Sequence, residues 1–180
     1  MRKFSQFVFV LIGIISCICL NACKEKINYL DFANQDPPDK SAISGEYNLD
    51  FNEMHNYVIN SIQNEYTPFF FVKEGKFDIS GDNAKRNIDI KCTCMNGTTE
   101  QDVALFFSMV LNFAGSNAHE QDYRFDAPKT DSEGTYINFG TVFNYFNLKL
   151  YADDESGNVI VNYNVKPGGK IPVEPRYIKE

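Results

Sequence analysis

Residues 87–114 read NIDIKCTCMNGTTEQDVALFFSMVLNFA, and this stretch decides the fold. Up to Cys94 the pattern alternates: Ile88, Ile90, Cys92 and Cys94 fall on one face, and Asn87, Asp89, Lys91 and Thr93 on the other, as in a strand buried on one side. Asn96-Gly97 breaks it. Thr98, with Gln101 three residues on, forms a capping box, and residues 99–114 then read as a helix. That helix is apolar on most sides, with a narrow stripe of Gln101, Ala104, Ser108 and Asn112, so it must be covered from more than one direction. Gly115 is placed to end it.

Working outward, Asp50 and Glu53 open a first helix from about Phe51 to Gln63, whose apolar stripe is Phe51, Met54, Tyr57, Val58 and Ile62. Residues 69–72 read as a buried run ahead of a turn at Glu74-Gly75. Phe77 and Ile79 begin a strand that pairs with 87–94 as a hairpin. Downstream, Tyr123 and Phe125 suggest a short strand, and a longer one starts at Thr135, bulged at Gly140. Its second half pairs with Val159–Val165 across the turn 153–158, with Phe146, Leu148, Leu150, Val159, Val161 and Tyr163 as core face. The ending KPGGKIPVEPRYIKE reads as an extended tail. The expectation is α+β: an antiparallel sheet of about five strands packed on one face by two helices.

The N-terminus carries a separate message. MRKFSQFVFVLIGIISCICLNAC opens with Arg2 and Lys3 and continues as a 14-residue apolar run from Phe7 to Leu20. That suits a signal-peptide core and is too short to span a bilayer. Its end, Leu20-Asn21-Ala22-Cys23, resembles the lipobox of bacterial lipoprotein precursors, with an aliphatic residue, a variable one, a small one and then cysteine. The resemblance implies cleavage between Ala22 and Cys23 and a diacylglyceryl group on the Cys23 thiol, with fatty-acyl chains such as palmitate. Ile14-Ile15-Ser16-Cys17 has the same outline, but cutting there would leave apolar Cys17–Leu20 on the mature chain. Cutting at Cys23 puts Lys24-Glu25-Lys26 next. Two acyl chains hold where one is marginal, each buried methylene contributing about 0.8 kcal/mol. The organisation expected is therefore 1–22 signal peptide, 23–46 lipidated N-terminus and tether, and 47–180 one α+β domain with an extended tail. The tether's reach as a coil is roughly 25–30 Å. The implied location is the extracytoplasmic face of a cell membrane, within the cell envelope.

Charge limits the partners. The whole chain carries a formal −7, and losing Arg2 and Lys3 leaves 15 basic against 24 acidic residues, or −9. That argues against nucleic acid, because phosphate binding needs clustered cations. The partners expected are the membrane, through the lipid on Cys23, and an extracellular protein, peptide or glycan.

No catalytic constellation emerges, and no cofactor is implied. His55 and His119 stand singly, outside any metal spacing. Asp131-Ser132-Glu133 and Asp153-Asp154-Glu155 lack the alternating acids and sixth-place glycine of an EF-hand loop. Lys166–Lys170 lacks the serine or threonine that completes a phosphate loop, Ile171 standing in its place. Cys92 and Cys94 leave three readings open: core thiols acting as small hydrophobes, a distorted or intermolecular disulfide, or metal or redox chemistry. The third would make a small envelope enzyme or thiol redox protein. On the face opposite the core, the final hairpin presents Tyr145, Asn147, Lys149 and Tyr151 beside Ile160, Asn162 and Asn164. Tyrosines with amides can stack on and hydrogen-bond a sugar or peptide. Tyr145, Asn147, Tyr151, Asn162 and Asn164 are the candidate ligand residues of a non-catalytic binding module.

Overall fold

A computed structural model describes residues 45–65 and 70–175. The chain runs α1 (Phe51–Glu65), β1 (Val72–Asp82), β2 (Asn87–Cys94), α2 (Glu100–Gln121), a 3₁₀ turn (Val142–Asn144), β3 (Asn147–Asp154) and β4 (Val159–Val165). The class is α+β, as the alternating and helical periods imply. The sheet has four strands in the order β1-β2-β3-β4.

Two expectations are corrected. The first concerns direction: β1/β2 and β3/β4 are antiparallel, but β2 and β3 pair in parallel, from Asn87 opposite Asn147 to Cys94 opposite Asp154. The cause is α2, which returns the chain to the end of the sheet where β2 began, so β3 must run the same way as β2. The second concerns number. The expected strand at Tyr123–Phe125 does not form, and the one expected from Thr135 forms only in its second half, as β3; between Thr130 and Tyr136 there is a single isolated bridge. This segment caps the core instead, with Phe125, Phe139, Val142, Phe143 and Phe146 all buried. Phe70, expected inside, is 76% exposed. The strand after it runs through the expected Glu74-Gly75 turn, with a register shift between Val72 and Phe77 and Gly75 at φ 67°.

α1 follows its apolar stripe: Met54 and Val58 are fully buried, and Phe51, Tyr57 and Ile62 pack against the core. Asp50 Oδ1 accepts from the N–H groups of Asn52 and Glu53 at 2.9 and 3.0 Å, satisfying two donors of the first turn. Its own N–H donates to Gln121 Oε1, tying the start of α1 to the end of α2.

α2 is capped one residue later than expected. Thr99 Oγ1 accepts from Asp102 N–H, and the Asp102 carboxylate accepts from Thr99 N–H at 3.0 Å. The helix also runs past Gly115 to Gln121. Gly115 serves contact rather than termination: a Cβ there would stand 2.1 Å from the Phe139 carbonyl oxygen. The expected polar stripe is not a solvent face either. Ser108 and Asn112 are 2% and 1% exposed, and Asn112 Nδ2 donates to the Pro175 carbonyl at 3.5 Å. The tail therefore packs on α2, with Val173 buried. A helix covered both by the sheet and by the following segment explains why nearly every side of it is apolar.

The N-terminal end of the domain is held by an aromatic and cationic cluster. Tyr47 packs on Phe125, Tyr145 and Phe146, and the guanidinium carbons of Arg86 and Arg124 lie 5.1 and 4.9 Å from its ring centroid. Arg124 Nη2 in turn donates to Asp122 Oδ2 at 2.6 Å.

Candidate functional site

The helices pack on one face of the sheet, and among the described residues no helix or strand covers the other. The burial of β2 alternates strictly, with Ile88, Ile90, Cys92 and Cys94 inside. Every second residue is therefore left on the open face. The register sets them in rows across the strands: Ser80, Asp89, Lys149, Asn164, and then Asp78, Lys91, Tyr151, Asn162. Asn147 and Asn87 stand together at one end, their amides within 3.0 Å. Beside this pair a shallow cleft of about 280 Å³ is lined by Asn87, Asp89, Asn147, Lys149, Asn164 and Lys166.

Of the residues expected on this face, Asn147, Tyr151, Asn162 and Asn164 are there. Tyr145 is not. The strand begins two residues after it, at Asn147, and Tyr145 follows the 3₁₀ turn to pack on Tyr47 and Phe125. A strand period extended back to residue 145 placed it on the wrong surface, because the 3₁₀ turn resets the phase. Asn87 and Asp89 were legible as the polar half of β2, but joining them to Asn147 and Asn164 requires the parallel pairing. Cys23 and Ala22 lie outside the described residues.

The chemistry of the face is amide, carboxylate and ammonium around one phenol ring. Lys149 Nζ sits 5.9 Å from the Tyr151 ring centroid, and the Tyr151 hydroxyl donates to Asp153 Oδ2 at 3.4 Å. Partial burial and the Asp153 carboxylate raise the Tyr151 phenol above its ordinary pKa, so it is a neutral donor at physiological pH. Asp153 Oδ1 is buried without a hydrogen-bond partner.

The thiols lie on the opposite face. Cys92 and Cys94 are free and buried, with Sγ atoms 3.8 Å apart. The hydrogen bond that Cys92 shares with Cys94, then burial and the neighbouring charges, push its thiol up, while the same bond draws the Cys94 thiol down, so the proton stays on Cys92. A thiol held protonated is a poor nucleophile and metal ligand. No cluster of three or more potential ligand side chains among the described residues could hold a metal ion.

The histidines are engaged in structure. His55 Nδ1 accepts from the Ile79 N–H at 3.2 Å, and the ring stacks on Phe77. His119 lies within α2, not beyond its end, and Nδ1 donates to the Phe125 carbonyl at 2.7 Å. The acidic clusters fold turns: Asp131 Oδ1 accepts from Glu133 and Thr135 N–H, and Asp154 Oδ1 from Ser156 and Asn158 N–H. Lys166–Lys170 closes on itself through Gly169 N–H donating to the Lys166 carbonyl.

A larger cleft, about 500 Å³, opens between loop 137–144 and tail 169–175, over Phe139, Phe143 and Ile171. No described helix is long and apolar enough to cross a membrane. No family model, curated protein or solved structure matches the chain.

Proposed function

We propose that this chain is a lipid-anchored extracytoplasmic protein whose folded domain is a non-catalytic binding module. The anchor reading rests on Leu20-Asn21-Ala22-Cys23, with the lipid on Cys23. The binding reading rests on one observation: a whole sheet face open among the described residues, with Asn87, Asn147 and Asn164 lining its shallow cleft and Asn162 beside Tyr151 further along the strands. Planar amides are both donor and acceptor, and a phenol ring offers rigid apolar area at low entropic cost. A ligand with hydrogen-bonding groups and little charge, a glycan or a polar extended peptide, suits that surface. The net negative charge of the chain leaves polyphosphates unsupported.

Two experiments test the two halves. Growth with a radioactive fatty acid labels the wild-type chain and leaves Cys23→Ser unlabelled; label retained in that variant assigns the lipid elsewhere. Probing the full-length protein on immobilised oligosaccharides and peptides gives binding that Tyr151→Ala with Asn164→Ala removes while the melting temperature is kept. A turnover activity abolished by one point substitution overturns the non-catalytic reading.

A further inference from the structure

Two polar atoms on consecutive turns of α2, Ser108 Oγ and Asn112 Oδ1, have no hydrogen-bond partner among the described residues. Both residues are almost wholly enclosed, and buried polar groups in folded proteins are nearly always paired. Each therefore calls for a partner. The nitrogen of the Asn112 amide already has one, since Nδ2 donates to the carbonyl of Pro175, the last described residue of the tail.

The path of the tail shows where the missing partners come from. Gly168 N–H donates to the Phe143 carbonyl in the 3₁₀ turn, and Tyr145, at the end of that turn, packs on Phe125, whose carbonyl His119 holds. The tail thus starts beside the last turns of α2, and by Pro175 it has reached Asn112, about two turns back toward the start of the helix. Its burial alternates on the way: Ile171 and Pro175 are half-buried and Val173 is buried, while Pro172 and Glu174 are exposed. That is the period of an extended chain with one face inward, and the prolines at 172 and 175 favour extended backbone at Ile171 and Glu174. The next inward position is Tyr177.

We propose that the chain beyond Pro175 docks along α2 as a strap, with Tyr177 as its anchor. Two residues of extended chain advance about 6.6 Å and four residues of helix about 6 Å, so Tyr177 comes level with Ser108. Backbone groups of an extended chain alternate sides with period two, so the N–H and carbonyl of Tyr177 face α2 as the Pro175 carbonyl does. The N–H donates to Asn112 Oδ1, and the carbonyl, one step further along, accepts from Ser108 Oγ. The phenol ring covers Leu105, which lies three residues from Ser108 on the same helix face and is 49% exposed. The polar stripe of α2 is then a track for this chain's own tail. Because residues 169–175 form one wall of the 500 Å³ cleft, the strap also holds that wall in place.

The test uses the full-length protein. Ala104→Cys combined with Ile178→Cys and oxidised with copper phenanthroline gives an intramolecular disulfide in peptide mass mapping, because both positions lie on the track. Tyr123→Cys with Ile178→Cys does not, Tyr123 being exposed beyond the far end of α2. A double-mutant cycle read by thermal melts tests the hydrogen bonds and cancels the intrinsic helix preference of alanine. Ser108→Ala lowers the melting temperature by a few degrees more in the wild-type background than in Tyr177→Gly, where the anchor is gone and the hydroxyl is already orphaned. A disulfide to position 104 no stronger than that to 123, or the same effect of Ser108→Ala in both backgrounds, overturns the inference.

Discussion

Replacing Gly115 with alanine tests how α2 is packed, because two effects of opposite sign compete there. In an exposed helix interior alanine is more favourable than glycine by about 1 kcal/mol. At residue 115 the added methyl would sit 2.1 Å from the Phe139 carbonyl oxygen and 3.1 Å from Pro128 Cγ. The first obstacle is backbone, so the loop carrying Phe139 must retreat by more than an ångström to restore ordinary contact. Overpacking of this kind costs about 1–3 kcal/mol, and a clash with main chain lies at the upper end. The net expectation is a loss of about 2 kcal/mol, read as a fall in melting temperature of roughly 4–8 °C for a domain of this size. Denaturant unfolding of Gly115→Ala beside wild type gives the free energy directly. A variant as stable as wild type, or more stable, would refute the packing of loop 126–146 on α2 and restore Gly115 as a simple helix terminator.

The remaining predictions probe the caps, the thiols and the partly exposed Asp122–Arg124 ion pair. Thr99→Ala lowers stability by about 1 kcal/mol through loss of the N-cap bond, while Thr98→Ala costs less; thermal melts of the two variants reveal which threonine caps α2. In the native protein, burial keeps reagent from Cys92 and Cys94, so both resist iodoacetamide at pH 8 and react only as fast as the chain unfolds; peptide mass mapping that finds either alkylated in folded protein would revive the redox reading. Asp122 is held below the usual carboxylate range by its hydrogen bonds to Arg124. Because the folded value is the depressed one, its contribution is complete above the unfolded value of about 3.9 and fades as pH falls through the folded value. The stability gap between wild type and Asp122→Asn is accordingly constant from pH 7 to 5 and closes below about pH 4 in urea titrations.

Local periods carried much of this fold. The alternation of 87–94, the stripe of α1 and the hairpin β3/β4 each follow from side-chain spacing that one buried face imposes. Two things were not local. The parallel β2/β3 pairing depends on where α2 delivers the chain, which no window of residues 135–165 records. The aromatic run around Phe139–Phe146 looks like strand because apolar residues are frequent there, yet it is buried as an irregular cap on α2. Gly115 shows the same ambiguity at one residue, since a glycine that ends a helix and a glycine that lets another chain approach are the same letter. Of the candidate site, the half on β3 and β4 was readable; Asn87 and Asp89 joined it only through the sheet order. Tyr145 was misplaced by the phase reset of the 3₁₀ turn.

The central claim, that the domain binds through its open sheet face, meets its most direct test in photo-cross-linking in intact cells. Full-length protein carrying a benzophenone amino acid at Tyr151 is compared with protein carrying it at Asn56, an exposed position on α1. The account predicts a discrete adduct from position 151 and none from 56. Equal adducts at both positions, or none at 151 in any growth condition, would contradict it.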